Sequence, residues 1–158
     1  MPIQLYRIDD RLIHGQVVLG WGRSLGVRFI VLVDDDVAAS AWEQDLYRMA
    51  LPPDIEPFFV GVAEGRARLA QWNADPRPGI LLTGRIETMA ALLADNGGTP
   101  PRVNLGGIHH RPGRIERLPY VYLTEEELRA LKALRATGAD ITAQDVPTTA
   151  PVALDVLG

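Results

Sequence analysis

Arg7-Ile8-Asp9-Asp10-Arg11-Leu12-Ile13-His14-Gly15-Gln16-Val17 decides how the chain is read. It follows Ile3-Gln4-Leu5-Tyr6, a short alternating apolar run of strand type, and it leads into a helix-like pattern. Two carboxylates, two guanidiniums, one imidazole and a glycine therefore fall between a strand and a helix. In an open α/β protein that is the carboxyl edge of the sheet, where the chemistry is placed.

Working outward, Ile3 to Ile8 reads as the first strand and Gly15 to Leu25 as a helix carrying Val17, Val18, Trp21 and Leu25. Gly20 and Gly22 weaken that helix by roughly 1 kcal/mol each relative to alanine, and Gly26 ends it. Val27 to Val33 is almost continuously apolar, as a strand buried on both faces requires. Asp34-Asp35-Asp36 closes that strand. Ala38 to Leu51 reads as one helix with Trp42, Leu46 and Met49 on one face, Ser40 as an early cap and Pro52-Pro53 as the stop. Trp42 and Trp72 are both candidates for the core.

Further strands are read at Ile55–Val60, Ile80–Thr83, Arg102–Leu105, Tyr120–Leu123 and Ile141–Val146. Helices are read over Val62–Trp72, over Ile86–Asp95 with Asn96-Gly97-Gly98 as its end, and after Thr124, whose spacing to Glu127 forms a capping box. Ile108 to Leu118 reads as an irregular basic loop with room for a short hairpin. Strands alternate with helices throughout. The expected fold is therefore α/β: a single-domain three-layer sandwich over residues 1–158, with a mostly parallel sheet of about seven strands and helices on both faces.

With 158 residues the chain is long enough for one buried core, and 47% apolar with 23% charged residues is ordinary for a globular protein. There is no cysteine, which removes thiol and disulfide chemistry. Met1-Pro2-Ile3-Gln4 has no signal-peptide pattern, and no apolar run approaches the ~20 residues of a membrane span. A cytoplasmic location is expected. The net charge of −4 argues against a nucleic-acid partner.

His14 is the candidate reactive group. A neutral imidazole nitrogen is nucleophilic near neutral pH and can attack phosphorus, splitting one transfer into two steps. Arg11 can offer a bidentate guanidinium to the phosphoryl group, and Gly15 and Gln16 open a helix whose N–H groups attract anions. Asp9 and Asp10 can each orient the imidazole, position an arginine or cap the loop, and Asp10 is chosen for the site role. Arg85 after the fourth strand, and Gly106 and Gly107 after the fifth, are further phosphate-binding candidates, the glycines as an anion-binding nest. Arg7, Arg11, Arg23 and Arg28 can attract acidic partners.

Other chemistries fit poorly. Three consecutive carboxylates at Asp34 to Asp36 do not aim at one cation, and His14, His109 and His110 lack the spacing of a zinc site. In Gly20-Trp21-Gly22-Arg23-Ser24-Leu25 the last glycine of a dinucleotide fingerprint is a leucine, and the run precedes a strand. No nucleoside-triphosphate loop is present. No metal or cofactor is expected.

Asp9-Asp10-Arg11-Leu12-Ile13-His14-Gly15-Gln16-Val17 resembles the signature of the IIB component of the mannose/fructose/sorbose-type bacterial phosphotransferase system. Val33-Asp34-Asp35-Asp36-Val37-Ala38, Asn104-Leu105-Gly106-Gly107 and Gln144-Asp145-Val146-Pro147 extend the resemblance over nearly the whole chain. It implies a seven-stranded, largely parallel α/β sandwich. It also implies a phosphotransferase that accepts a phosphoryl group from a phosphorylated IIA protein on His14, on the Nδ1 nitrogen, and passes it to a sugar held by membrane IIC and IID subunits. The residues alone do not choose a nitrogen. The resemblance places such a protein in the cytoplasm at the periphery of an inner-membrane complex, and a homodimer is left open.

Two alternatives remain. His109-His110-Arg111 departs from the sugar-transporting pattern, which motivates a regulatory phosphorelay protein not coupled to transport. The Asp34 to Asp36 loop motivates a small-molecule-binding α/β module without a covalent intermediate.

Overall fold

Strict alternation in the central strands sorts their side chains into two apolar layers. In β2 (Phe29–Val33), Phe29, Val31 and Val33 join one cluster while Ile30 and Leu32 join the other. β1 (Ile3–Ile8) follows the same rule from Leu5 onward, with Tyr6 and Ile8 on the first face and Leu5 on the second; an irregularity in register between Ile3 and Leu5 puts Ile3 with the first face. A sheet covered on both faces is the reason these strands read as continuous apolar runs. The computed structural model describes residues 3–94 and 101–158.

After β1 comes a π-helical segment (Gln16–Gly22) that runs into the short α1 (Arg23–Leu25) and then β2. α2 (Asp35–Ala38) and α3 (Ala41–Met49) lead to β3 (Glu56–Val60), α4 (Val62–Asn73), β4 (Gly79–Thr83) and α5 (Ile86–Leu93). β5 (Arg102–Leu105) is followed by β6 (Ile115–Leu118), β7 (Val121–Leu123), α6 (Glu125–Ala136), β8 (Asp140–Ala143) and β9 (Val152–Ala153). A 3₁₀ turn (Leu154–Leu157) ends the described chain.

The seven-stranded sheet has the order β3-β2-β4-β1-β5-β8-β9 and is parallel except for the antiparallel β8–β9 pair. The expected α/β fold class is the one observed. Its strand membership differs from expectation in one place. Tyr120–Leu123 supplies β7, which pairs with β6 in a separate two-stranded ribbon, and the seventh sheet strand is β9 in the tail. The expected helix over Ala38–Leu51 is two helices, because Ser40 is extended and its hydroxyl accepts from Glu43 N, capping α3 afresh. Trp72 is core at 1% exposure, whereas Trp42 is 69% exposed with Leu46 and Met49 beside it on the outside of α3. The expected Asn96-Gly97-Gly98 helix end lies outside the described residues.

β1 sits in the middle of the sheet between β4 and β5. After β1 the chain goes to one side, to β2 and β3; after β5 it goes to the other, to β8. This reversal opens a crevice at the carboxyl ends of β1 and β5. The loop Asp9–His14 leaves β1 into that crevice.

Candidate active site

Residues 5, 7 and 9 follow the same alternation, so Arg7 and Asp9 continue the face on which Leu5 is buried. Both are fully buried. A buried charge is tolerated only when paired and hydrogen-bonded. Arg7 donates to Asn104 Oδ1, to the Gln144 carbonyl at 2.9 Å, to the Asp145 carbonyl at 2.9 Å and to Asp9 Oδ2 at 3.2 Å. Its guanidinium also lies over the Trp21 ring, 5.1 Å from the centroid. The π-helical segment supplies that ring. Its wider turns set Trp21 so that the indole N–H also reaches the Asp145 carbonyl at 3.3 Å. Such turns are frequent at functional sites.

Asp9 is the hub of the loop. One carboxylate oxygen accepts from the Arg11 backbone N–H at 3.1 Å and from Arg11 Nε at 3.0 Å. The other accepts from Arg11 Nη2 at 2.9 Å, Arg7 Nη2 at 3.2 Å and His14 Nε2 at 3.2 Å. Burial alone would raise the Asp9 pKa. Hydrogen bonds from His14 and Arg11 and the charge of Arg7 outweigh it, holding the carboxyl well below the usual range. Burial pulls the Arg7 guanidinium down, against Asp9, which holds it up. The Asp9 carbonyl accepts from Leu12 N at 3.0 Å, closing a tight turn in which Leu12 takes a left-handed φ of 61°. A non-glycine residue in that region costs energy, and such strain collects at functional loops.

His14 is held from both ring nitrogens. The Gln16 backbone N–H points at Nδ1 from 3.3 Å. An N–H can only donate, so Nδ1 carries the lone pair, and Nε2–H donates to Asp9. The side chain keeps 18% of its surface open. Beside it, Arg11 Nη1 donates to Gln16 Oε1 at 2.8 Å, and Nη2 lies 3.5 Å from Asp145 Oδ1. A lone-pair nitrogen, a helix-opening N–H and a partly exposed guanidinium thus converge on one point.

The sequence-predicted residues divide accordingly. His14, Arg11 and Gln16 are brought together, and Gly15 stands between them at the start of the π-helical segment, open to solvent with no side chain packed over it. Asp10 meets a different imidazole: it accepts from the His109 backbone N–H at 2.7 Å and pairs with His109 Nδ1 at 2.5 Å. Arg85 caps the start of α5, exposed and 3.8 Å from Glu87. The anion nest expected at Gly106 and Gly107 is corrected at Gly106, whose N–H is spent on the Ile8 carbonyl at 2.7 Å. These glycines matter for closeness instead. A Cβ on Gly106 would collide with Arg7 and Asp9, and one on Gly107 would stand 3.0 Å from Arg11 Nε. Arg7, expected to attract partners, is buried and cannot.

Asn104, Gln144 and Asp145 stand in family-like segments of the sequence, but the sequence alone gives them no site role. Their signal is weak: a polar residue inside an apolar strand, and an acidic residue just past another. Asp34 and Asp35 act as helix-start acceptors, for Val37 N at 3.0 Å and Val62 N at 2.9 Å. Among the described residues no cluster of three or more metal-binding side chains occurs, and no helix is long and apolar enough to cross a membrane.

A mostly parallel α/β sheet thus presents a histidine at its switch point, backed by a carboxylate and two arginines. The family model for the PTS system sorbose subfamily IIB component matches residues 3–157, and the chain belongs to that family. It is 33% identical over 150 residues to the PTS system mannose-specific EIIAB component of Escherichia coli K12, covering 94% of this chain but 46% of that protein. It thus spans about half the length of that relative. The N-acetylgalactosamine-specific phosphotransferase enzyme IIB component 2 of Escherichia coli K12 is 30% identical, with 98% of each chain covered. Among solved structures, the IIBSor domain of the sorbose permease from Klebsiella pneumoniae superposes with a TM-score of 0.89 at 27% identity, over 99% of this chain and 96% of that one. The manxB structure from Thermoanaerobacter tengcongensis gives 0.87 at 30% identity, over 98% and 93%.

Proposed function

We propose that the protein is a phosphocarrier that takes a phosphoryl group from a phosphorylated IIA partner onto His14 Nδ1 and passes it to a sugar hydroxyl held by membrane IIC and IID subunits. The observation that carries this reading is the pair of contacts on one ring: Asp9 at Nε2 and a helix-opening N–H at Nδ1.

The donor's N–P bond breaks as the Nδ1 lone pair forms a new one. The His14 ring becomes positive, its Nε2–H still bonded to Asp9, and the ionised Asp9 compensates that charge as an orienting carboxylate does. Gln16 N–H is then free to donate to a phosphoryl oxygen, and Arg11 Nη1 can exchange Gln16 Oε1 for another. Such transfers ask mainly for positioning and charge stabilisation. The protonated ring is also the better leaving group in the second transfer. Sugar identity is left to the membrane subunits, and the protein works in the cytoplasm against that membrane complex.

Incubating the protein with phosphoenolpyruvate, the general transfer proteins and a family IIA tests this reading. Wild type should become labelled and the His14→Ala variant should stay unlabelled while folded. Retained labelling in the variant would remove His14 from the reaction. The small-molecule module is disfavoured because the Asp34 and Asp35 carboxylates on which it drew are occupied at helix starts.

A further inference from the structure

Asp10 and His109 form a second carboxylate–imidazole pair, which joins the loop after β1 to the loop after β5. Asp10 takes both the backbone N–H and the ring Nδ1 of His109, at 2.7 and 2.5 Å. An ionised carboxylate can only accept, so Nδ1 bears a proton, and in the neutral imidazole Nε2 then carries the lone pair. The His109 side chain is 67% exposed, and no partner for Nε2 occurs among the described residues. The loop is fixed from behind as well. Arg114 donates to the His109 carbonyl at 2.9 Å and forks onto Glu127 at 3.0 and 2.8 Å, and Glu127 closes the capping box that Thr124 opens at the start of α6. A solvent-facing histidine needs no such clamp to be soluble. One whose free nitrogen must stay aimed does.

Position favours a role in the reaction. β5 is hydrogen-bonded to β1, and the loops after these two strands carry His109 and His14 respectively. Gly107, two residues before His109, packs against the Arg11 guanidinium. Asp10 itself belongs to the His14 loop. The two proposed transfers also differ in what they require. Nitrogen-to-nitrogen transfer from a donor histidine releases no hydroxyl proton. Transfer to a sugar hydroxyl does, and the proton needs an acceptor.

We propose that His109 Nε2 is the general base of the second transfer, oriented by Asp10, which rests on the phosphocarrier reading above. The hydroxyl oxygen forms its bond to phosphorus as the Nδ1–P bond of phospho-His14 breaks. The electron pair of that bond returns to Nδ1, and the hydroxyl proton passes to His109 Nε2. Asp10, already bonded at Nδ1, stabilises the imidazolium that results.

The test measures the two transfers separately. Labelling by phosphorylated IIA reports the first. Loss of label from the purified phosphoprotein to mannose, N-acetylgalactosamine or sorbose, in membrane vesicles holding family IIC and IID subunits, reports the second. His109→Ala should slow the second by about 10²-fold and change the first by less than about twofold. Added imidazole should restore much of the second rate, a rescue that a merely structural role would not show. Asp10→Asn should slow the second step by a smaller factor. Equal slowing of both steps, or a second step at the wild-type rate, would overturn the assignment. A wild-type protein that takes no phosphate on His14, or passes it to none of these sugars, would overturn the underlying reading and this inference with it.

Discussion

Two acidic loops stand at the same edge of the sheet, one after β1 and one after β2, and they do opposite things. After β2, Asp34 and Asp35 meet backbone N–H groups at the starts of α2 and α4. Among the described residues no cation is paired with either, and each sits where the helix dipole already favours a carboxylate. After β1, Asp9 meets two guanidiniums and an imidazole. The first loop uses charge to start helices. The second uses it to hold a histidine in one tautomer. The difference lies less in the carboxylates than in what the neighbouring strands bring to them: Arg7 from β1 itself, and the Gly106-Gly107 pair after β5, which lets that charged cluster approach the backbone.

Breaking the β1 loop should have the largest effect. Asp9→Ala leaves Arg7 buried beside no anion and should cost about 3–5 kcal/mol of stability, read as a lowered midpoint in urea unfolding. Asp9→Asn keeps the shape but not the charge. It should slow phosphoryl acceptance by about 10²- to 10⁴-fold, by analogy with orienting carboxylates elsewhere, read as the rate of labelling.

Arg11→Lys keeps the charge but loses the fork that grips both Asp9 oxygens. Labelling should slow by about ten- to hundredfold, the value of one or two charge-assisted hydrogen bonds, with stability lowered less than in Asp9→Ala.

Acid titration sharpens the contrast. The Asp9 carboxyl is held below its ordinary range in the folded protein. Its contribution is therefore fully present above the unfolded carboxylate range, roughly pH 4, and is lost as pH falls toward the depressed folded value. Stability measured from neutral to acid pH should fall below about pH 4 in wild type and fall less steeply in Asp9→Asn. An equal slope in both proteins would contradict the pairing.

The smallest effect belongs to the β2 loop. Asp34→Ala removes one helix cap and should cost about 1 kcal/mol, with labelling unchanged.

The strand–helix alternation, and with it the fold, was readable because apolar periodicity is a local signal. Phe29–Val33 announces a strand buried on both faces from its own residues. His14 and Arg11 were readable for the same reason, lying in one short loop. The choice between Asp9 and Asp10 was not. Both carboxylates lie in the one loop after β1, and which of them meets His14 depends on where β5 and β8 lie. The π-helical turns that set Trp21 under Arg7 have no residue signature separating them from an ordinary helix. Trp42 and Trp72 look alike in sequence, yet Trp72 lies on the face of α4 that joins the core, whereas α3 packs inward through Tyr47 and leaves Trp42 outside. The ninth strand hides in a tail whose two paired residues carry no pattern of their own.

The most direct measurement is phosphorus NMR of the protein after incubation with the phosphoryl donor chain, with wild type and His14→Ala side by side. An acid-labile phosphoramidate resonance with the Nδ1 signature, in wild type alone, is the expected result. A phosphoramidate on Nε2, or the same resonance in His14→Ala, would contradict the tautomer set by Asp9 and the role given to His14.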